Sequence, residues 1–255
     1  MKIKINSLRN AECGMRNENA AASGTNSLRP SPFALRPSSA FTLIELLVVI
    51  SIIGVLAAFT VPVMKQLKRR EYINKTQAEL AQLETAIDSY KATHGFYPPN
   101  GLNCLTNVLY FELLGTTNDT PSNPNNGTYY TLDHSASIVA NSTLADLGVG
   151  GFINCTKGSG EDAAPAKNFL PELKPGQYGT NTFAGPYVNF LFGSVGGPDQ
   201  SYKPLGLIGS NPWRYVCPGT NNPTSYDLWI VLSIANQKNL ICNWTKGVQK
   251  NTTLP

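Results

Sequence analysis

The residues able to do chemistry are few, and most are badly placed for catalysis. The chain carries two histidines, His94 and His134, and neither sits in a pattern with a carboxylate and a nucleophile. There is no G-x-S-x-G turn and no phosphate-binding loop. The glycine-rich stretches "GVGGF" and "GSVGGPD" neither follow a clear strand nor open a helix. Five cysteines occur, Cys13, Cys104, Cys155, Cys217 and Cys242, without a C-x-x-C pair, so no zinc site or other metal site is expected. The last four allow three pairings. Up to two disulfides in an oxidising compartment fit this count, with free buried thiols as the alternative. Asp227 in "SYDLW" reads as a strand-start carboxylate capping a turn. Trp213, Trp229 and Trp244 read as core residues rather than a sugar-stacking platform. His94, one residue before Gly95, reads as a capping or solvated residue at a helix end. No enzyme is expected from this set.

One carboxylate does stand out. Glu45 lies at the start of "FTLIELLVVISIIGVLAAFTVPVM", where from Leu46 to Met64 every residue is apolar or small except Ser51 and Thr60. A charge in the middle of a membrane helix costs about 2.5–3.5 kcal/mol, and less near an edge. Glu45 sits near the edge, and the flanking pattern is too particular for a residue without a role.

The elements that must hold it follow from the pattern. Residues 1–40 show no helical or strand period and are broken by Pro30, Pro32 and Pro37, which reads as a processed leader. The 24 residues from Phe41 to Met64 are enough to cross a hydrocarbon core of about 30 Å as a helix. Gly54 and Pro62 interrupt the run, and Pro62 is expected to kink or loosen the turn before it. Beyond it, Ile73, Thr76, Leu80, Leu83, Ile87 and Tyr90 step by three and four, one face of a helix. Gly95 is a natural stop, and Pro98-Pro99 prevents continuation. The spacing therefore predicts one helix from about Thr42 to about His94, roughly 80 Å long. It divides into an apolar assembly helix over 41–64 and an amphipathic continuation over 65–95. A head follows over 96–255.

In the head, "CLTNVLYFELLG" reads as a short helix. Residues 115–185 carry many turn signals and little period, and read as a loop-rich insertion. "WRYVCP", "SYDLWIVLSI" and "NLICNW" read as strands. The fold class is α+β, a long helix on a small antiparallel sheet.

Charge excludes one class of partner. Residues 1–40 hold six basic and two acidic side chains, and the remainder fourteen of each, so the chain without its leader is neutral. No nucleic-acid surface is expected. Lys65, Lys68, Arg69 and Arg70 close the apolar run on the side away from the leader. By charge alone they leave the membrane orientation undecided.

The stretch "AFTLIELLVVISIIGVLAAFTVP" resembles the N-terminal signature of type IV pilins and type II secretion pseudopilins. The resemblance implies cleavage between Ala40 and Phe41 by a prepilin peptidase and methylation of the new Phe41 amine. It implies an assembly role for Glu45, which neutralises the terminal amine of the next subunit. Gly54 and Pro62 match positions where the family's helix loosens in the filament. Where the family has Gly before the cut, Ala40 stands here. "LETAIDSYKATHGFYPPNGL" and "NPWRYVCPG…SYDLWIVLS…NW" are similar to the helix end and tail of the major pseudopilin, with Asn211 and Arg214 replacing the usual Asp and Gly. In place of that family's acidic calcium loop the chain reads "IANQKNLIC", where Lys238 would repel a hard cation and Asn236 offers at most a carbonyl, so no calcium is expected as cofactor. A Cys217–Cys242 disulfide is the expectation for a substitute staple in that hairpin.

The resemblance thus implies a filament subunit of the bacterial inner membrane, single-pass, with its head in the periplasm. Its implied partners are the peptidase and other pilin-like subunits. A pseudopilin of a type II secretion-like system is the leading version, and a type IV pilin or minor pilin the second. A signal-anchored periplasmic ligand-binding protein is the reading from another class.

Overall fold

The computed structural model describes residues 41–120, 123, 125–140, 142–157, 164–182, 187–193, 210–234 and 237–250. The leader, with Ala40 and Cys13, and Asn236 lie outside the described residues. The chain divides into two compact units, Met1–Ser51 and Ile52–Pro255.

A single helix α1 runs over Leu43–His94. Its bounds agree with the expectation to within one residue, and Pro62 leaves the helical backbone uninterrupted. In the second unit its buried positions are Thr76, Glu79, Leu80, Leu83, Ala86, Ile87 and Tyr90, with Ile73 half-buried, so the face that the three-and-four spacing predicts is the packed one, widened by Glu79 and Ala86. Gly95 ends it in the left-handed region, φ 86°, and its N–H donates to the Lys91 carbonyl at 2.7 Å. The chain leaving the helix is tied to the head at once. The Tyr215 hydroxyl donates to the Pro98 carbonyl at 2.8 Å, and the Tyr97 ring meets Tyr226 edge-on at 5.0 Å.

His94 corrects the expectation of a capping or solvated residue. It is half-buried, with its ring 4.4 Å from Tyr90 and 6.0 Å from Phe169. Burial pushes the imidazole pKa down, and the nearby Lys157 ammonium adds to that direction.

The short helix α2 spans Leu109–Leu114, within the stretch the sequence marks. The described part of the 115–185 region is loop-rich, as its turn signals predict, and also carries short elements. It holds β1 (Thr116–Asn118), β2 (Thr128–Thr131) and β3 (Ser137–Val139), an antiparallel sheet in that order, then α3 (Ser142–Leu147). A hairpin of β4 (Tyr178–Thr182) and β5 (Tyr187–Leu191) follows. Tyr129, Ile138, Leu144, Leu147 and Phe152 from this region join the same core as α1. Its strands are three to five residues long and rich in Thr, Tyr and Ser, too short and too polar to show a period.

The last sheet runs in the order β6 (Arg214–Val216), β7 (Asp227–Ile234), β8 (Gln237–Cys242), β9 (Gln249–Lys250), all antiparallel. Leu228, Ile230, Leu232 and Ile241 face the main core, while Trp229, Val231, Leu240 and Cys242 form a second cluster on the other face. Such two-sided burial explains the long continuous apolar reading of β7. Trp213 and Trp229 are buried, in agreement with the core reading, while Trp244 is half-buried against the second cluster. Ile234 pairs with Gln237, so only two residues connect β7 and β8.

The register also removes the Cys217–Cys242 staple. Trp229 pairs with both Arg214 and Cys242, which leaves β7 between the strands that carry or adjoin the two cysteines. Two strand spacings are about 9–10 Å, and the three-residue offset from Arg214 to Cys217 adds to that, well beyond disulfide reach. Cys104, Cys155, Cys217 and Cys242 are all free thiols, so the expected disulfides are absent among the described residues. The Cys217 and Cys242 thiols contact the Ser225 carbonyl and the Thr245 hydroxyl instead.

Asp227 is the turn cap the sequence predicts. Its two carboxylate oxygens accept from the Asn221 N–H at 2.7 Å, the Asn221 side-chain amide at 3.0 Å and the Asn222 N–H at 3.0 Å. The side chain is buried, so Asp227→Ala strands two backbone donors. The expected loss is about 3 kcal/mol, read from the urea midpoint of the detergent-solubilised chain. An unchanged midpoint would show that the turn does not depend on this cap.

Candidate functional site

The first unit is described over residues 41–51, and its chemistry is concentrated at the start of α1. Thr42 immediately precedes the first helical residue, Leu43, which makes it the N-cap and Glu45 the third helical residue. The pair forms a reciprocal capping box. The Glu45 N–H donates to Thr42 Oγ1 at 3.3 Å, and the Thr42 N–H donates to Glu45 Oε2 at 2.8 Å. The Thr42 hydroxyl also donates to Glu45 Oε2 at 2.8 Å, and the Leu46 N–H reaches the Thr42 carbonyl at 3.2 Å. The first turn of a helix exposes donors and the positive end of its dipole, so a carboxylate there is favourably placed. In an apolar solvent the need is greater, because water is not there to take those donors.

Both Thr42 donors use the same oxygen. Among the described residues, Glu45 Oε1 accepts no hydrogen bond, which leaves one carboxylate oxygen for a donor from outside. Phe41, Ile44, Glu45, Val48 and Val49 line an open recess of about 360 Å³ around it. Phe41 is 77 % exposed and Leu43 80 %, far more than large apolar side chains tolerate in water as a contiguous surface.

The surface that continues from this tip is equally apolar. The stretch Leu43–Thr60 has a mean hydropathy of 2.6, and none of it is buried against the rest of the chain. Its two hydroxyls are satisfied internally: Ser51 donates to the Leu47 carbonyl at 2.7 Å and Thr60 to the Leu56 carbonyl at 2.8 Å. Gly54 has nothing within 4 Å of the position a Cβ would take. A glycine inside a helix costs about 1 kcal/mol against alanine, and nothing among the described residues requires it.

Of the residues named from sequence, Phe41 and Glu45 are brought together here. Gly54 and Pro62 lie further along α1, and the four cysteines stand apart in the head. Thr42 is the functional residue the sequence reading missed. Its signal was present as T-x-x-E ahead of an apolar run, the pattern of a capping box. Among the described residues no group of His, Cys, Asp and Glu is arranged to hold a metal ion.

Comparison with known proteins agrees with this geometry. The family described as the prokaryotic N-terminal methylation motif matches residues 35–61. The chain is 37% identical over 137 residues to the fimbrial protein EcpB of Eikenella corrodens, covering 52% of this chain and 72% of that protein. It is 34% identical over 97 residues to the type II secretion system core protein G of Vibrio cholerae, covering 37% of this chain and 62% of that one. Against core protein G of Klebsiella michiganensis it is 33% identical over 98 residues, 35% of this chain and 69% of that protein. No solved structure matches the chain. A capping-box carboxylate at the head of an exposed apolar helical stretch, an α+β head and relatives of these two kinds lead to one conclusion: the chain belongs to the type IV pilin and type II secretion pseudopilin family.

Proposed function

We propose that this chain is a structural subunit of a pilus-like filament, a pseudopilin of a type II secretion-like system. A prepilin peptidase cuts it between Ala40 and Phe41 and methylates the new Phe41 amine. The mature subunit waits in the inner membrane as a single-pass protein with its head on the extracytoplasmic side, and polymerises through α1. It needs no cofactor and catalyses no reaction. The observation that carries this reading is the Thr42–Glu45 box with its open Oε1. A terminal amine on the next subunit is the donor that oxygen suits. An amine and a carboxylate are each costly alone in lipid and tolerable together. Gly54, with open space around it, is suited to close approach by a neighbouring helix.

A second reading, a type IV pilin or minor pilin, is favoured by the fimbrial relative, which aligns with the larger share of the chain. The anchored ligand-binding reading is less favoured, because Trp213 and Trp229 are buried and Trp244 alone of the three tryptophans stays half-exposed.

The test is co-expression with a prepilin peptidase, followed by intact-mass measurement of the membrane fraction. The expected product begins at Phe41 and carries one methyl group on its amine, and Ala40→Asp abolishes both changes. A chain that stays full-length beside an active peptidase would overturn the processing step.

A further inference from the structure

We propose that a groove at the foot of the head holds the phosphate of an anionic phospholipid. Gln66, Arg69, Arg70, Ile73, Val248 and Lys250 line it, with a volume of about 340 Å³. Three of the six are cationic, none is acidic, and two are apolar. This set fits a phosphodiester with glycerol and acyl carbon beside it. The groove is assembled from two segments distant in sequence, α1 and the stretch of Val248 with β9. Arg69 is held in place by donating to Asn239 Oδ1 on β8 at 2.9 Å. The fixed guanidinium leaves its remaining donors in the planar arrangement that suits a phosphate.

The position along α1 selects the occupant. The apolar run ends at Met64, so Arg69 and Arg70 lie five and six residues beyond it on the same helix. At 1.5 Å per residue that is about 8–9 Å, and the headgroup layer extends about 5–8 Å past the hydrocarbon core. Long basic side chains on flexible stems reach back across the difference. Lys250 brings the last described strand of the head to the same level. The cluster therefore meets phosphate at the one surface the helix necessarily crosses. It also gives a role to the basic residues that, as a topology signal, only left orientation undecided. The inference rests on the membrane anchor and not on filament assembly.

The full-length chain, extracted in mild detergent from vesicles of equal parts phosphatidylcholine and phosphatidylglycerol, tests this by native mass spectrometry. The expected spectrum shows one phosphatidylglycerol retained per chain in preference to phosphatidylcholine. The double variant Arg70→Gln/Lys250→Gln keeps the Arg69–Asn239 bond and is expected to lose that preference by about thirtyfold. Lys91→Gln, at the far end of α1, is expected to leave it unchanged. Equal retention of the two lipids would overturn the proposal, as would a preference that survives the double variant. Displacement of the lipid by inorganic phosphate at equal concentration would assign the groove to free phosphate instead. Loss of chain self-association without any change in lipid retention would assign it to an acidic face of a second copy. Failure of peptidase processing leaves all of these readouts untouched, so the two readings fail separately.

Discussion

Glu45→Ala is expected to abolish filament assembly while leaving membrane insertion intact. The variant removes the Glu45 half of the capping box and the carboxylate offered through Oε1, while Thr42 Oγ1 still caps the helix. Insertion depends on the apolar run from Leu43 to Thr60, which the substitution makes slightly more apolar. Assembly depends on a partner for an amine in lipid. Leaving that amine uncompensated costs about 3–5 kcal/mol, or about a hundredfold to a few thousandfold in the equilibrium for adding a subunit. Two further variants separate the roles. Glu45→Gln keeps a capping-box side chain but removes the charge, and is expected to assemble as poorly as the alanine variant. Thr42→Ala keeps the charge and loses the hydroxyl, and is expected to assemble at reduced yield. The measurement is the ratio of sheared filament to membrane-bound subunit. Wild-type filament yield from Glu45→Ala would remove the amine pairing from the mechanism and leave a simple membrane anchor.

Glu112→Ala is expected to destabilise the head by about 4 kcal/mol, much of what holds a small domain folded. Glu112 is wholly buried on α2 and joins three parts of the chain. Its Oε1 accepts from the Ile153 N–H at 2.8 Å, and its Oε2 from the Asn154 N–H at 2.9 Å and the Tyr90 hydroxyl at 3.0 Å. Asn154 in turn donates to the Glu112 and Lys167 carbonyls, both at 2.7 Å. Desolvation raises the Glu112 pKa, and the two backbone donors oppose it. Truncation strands two backbone N–H groups and a phenol in a dry core. Glu112→Gln should recover only part of the loss, because its amide nitrogen turns a donor toward a donor. Tyr90→Phe removes one bond and should cost about 1 kcal/mol. Urea unfolding of the solubilised chain, followed by tryptophan fluorescence, gives all three values. A Glu112→Ala midpoint within error of wild type would show that the core relaxes around the gap, and that α1 is held by apolar packing alone.

Much of this molecule was legible before any coordinates. The α1 stripe from Thr76 to Tyr90, the stop at Gly95 and the β6–β8 strands all follow from local rules, period and breaker residues. Asp227 was legible for the same reason, since an Asp at a strand start most often caps its own turn. The expectations that failed concern contacts at long range. His94 reads as solvated from its neighbours in sequence, yet Phe169, seventy-five residues away, helps bury it. Cys217 and Cys242 look like a pair until the register sets β7 between them.

The apolar helix and the carboxylate at its head were written in composition and spacing, because lipid imposes a one-dimensional constraint of length and apolarity. Glu112 could not be singled out that way. It is one acidic residue in a short helix, and its importance comes from donors on Tyr90, Ile153 and Asn154 that only folding brings to it. The same holds for the strands of the 116–191 region, whose polar residues are ordered by partners across the sheet rather than by their own sequence. The basic groove lies between these cases. Arg69 and Arg70 are plain in the sequence, but pairing β9 to β8 is what sets Lys250 beside them.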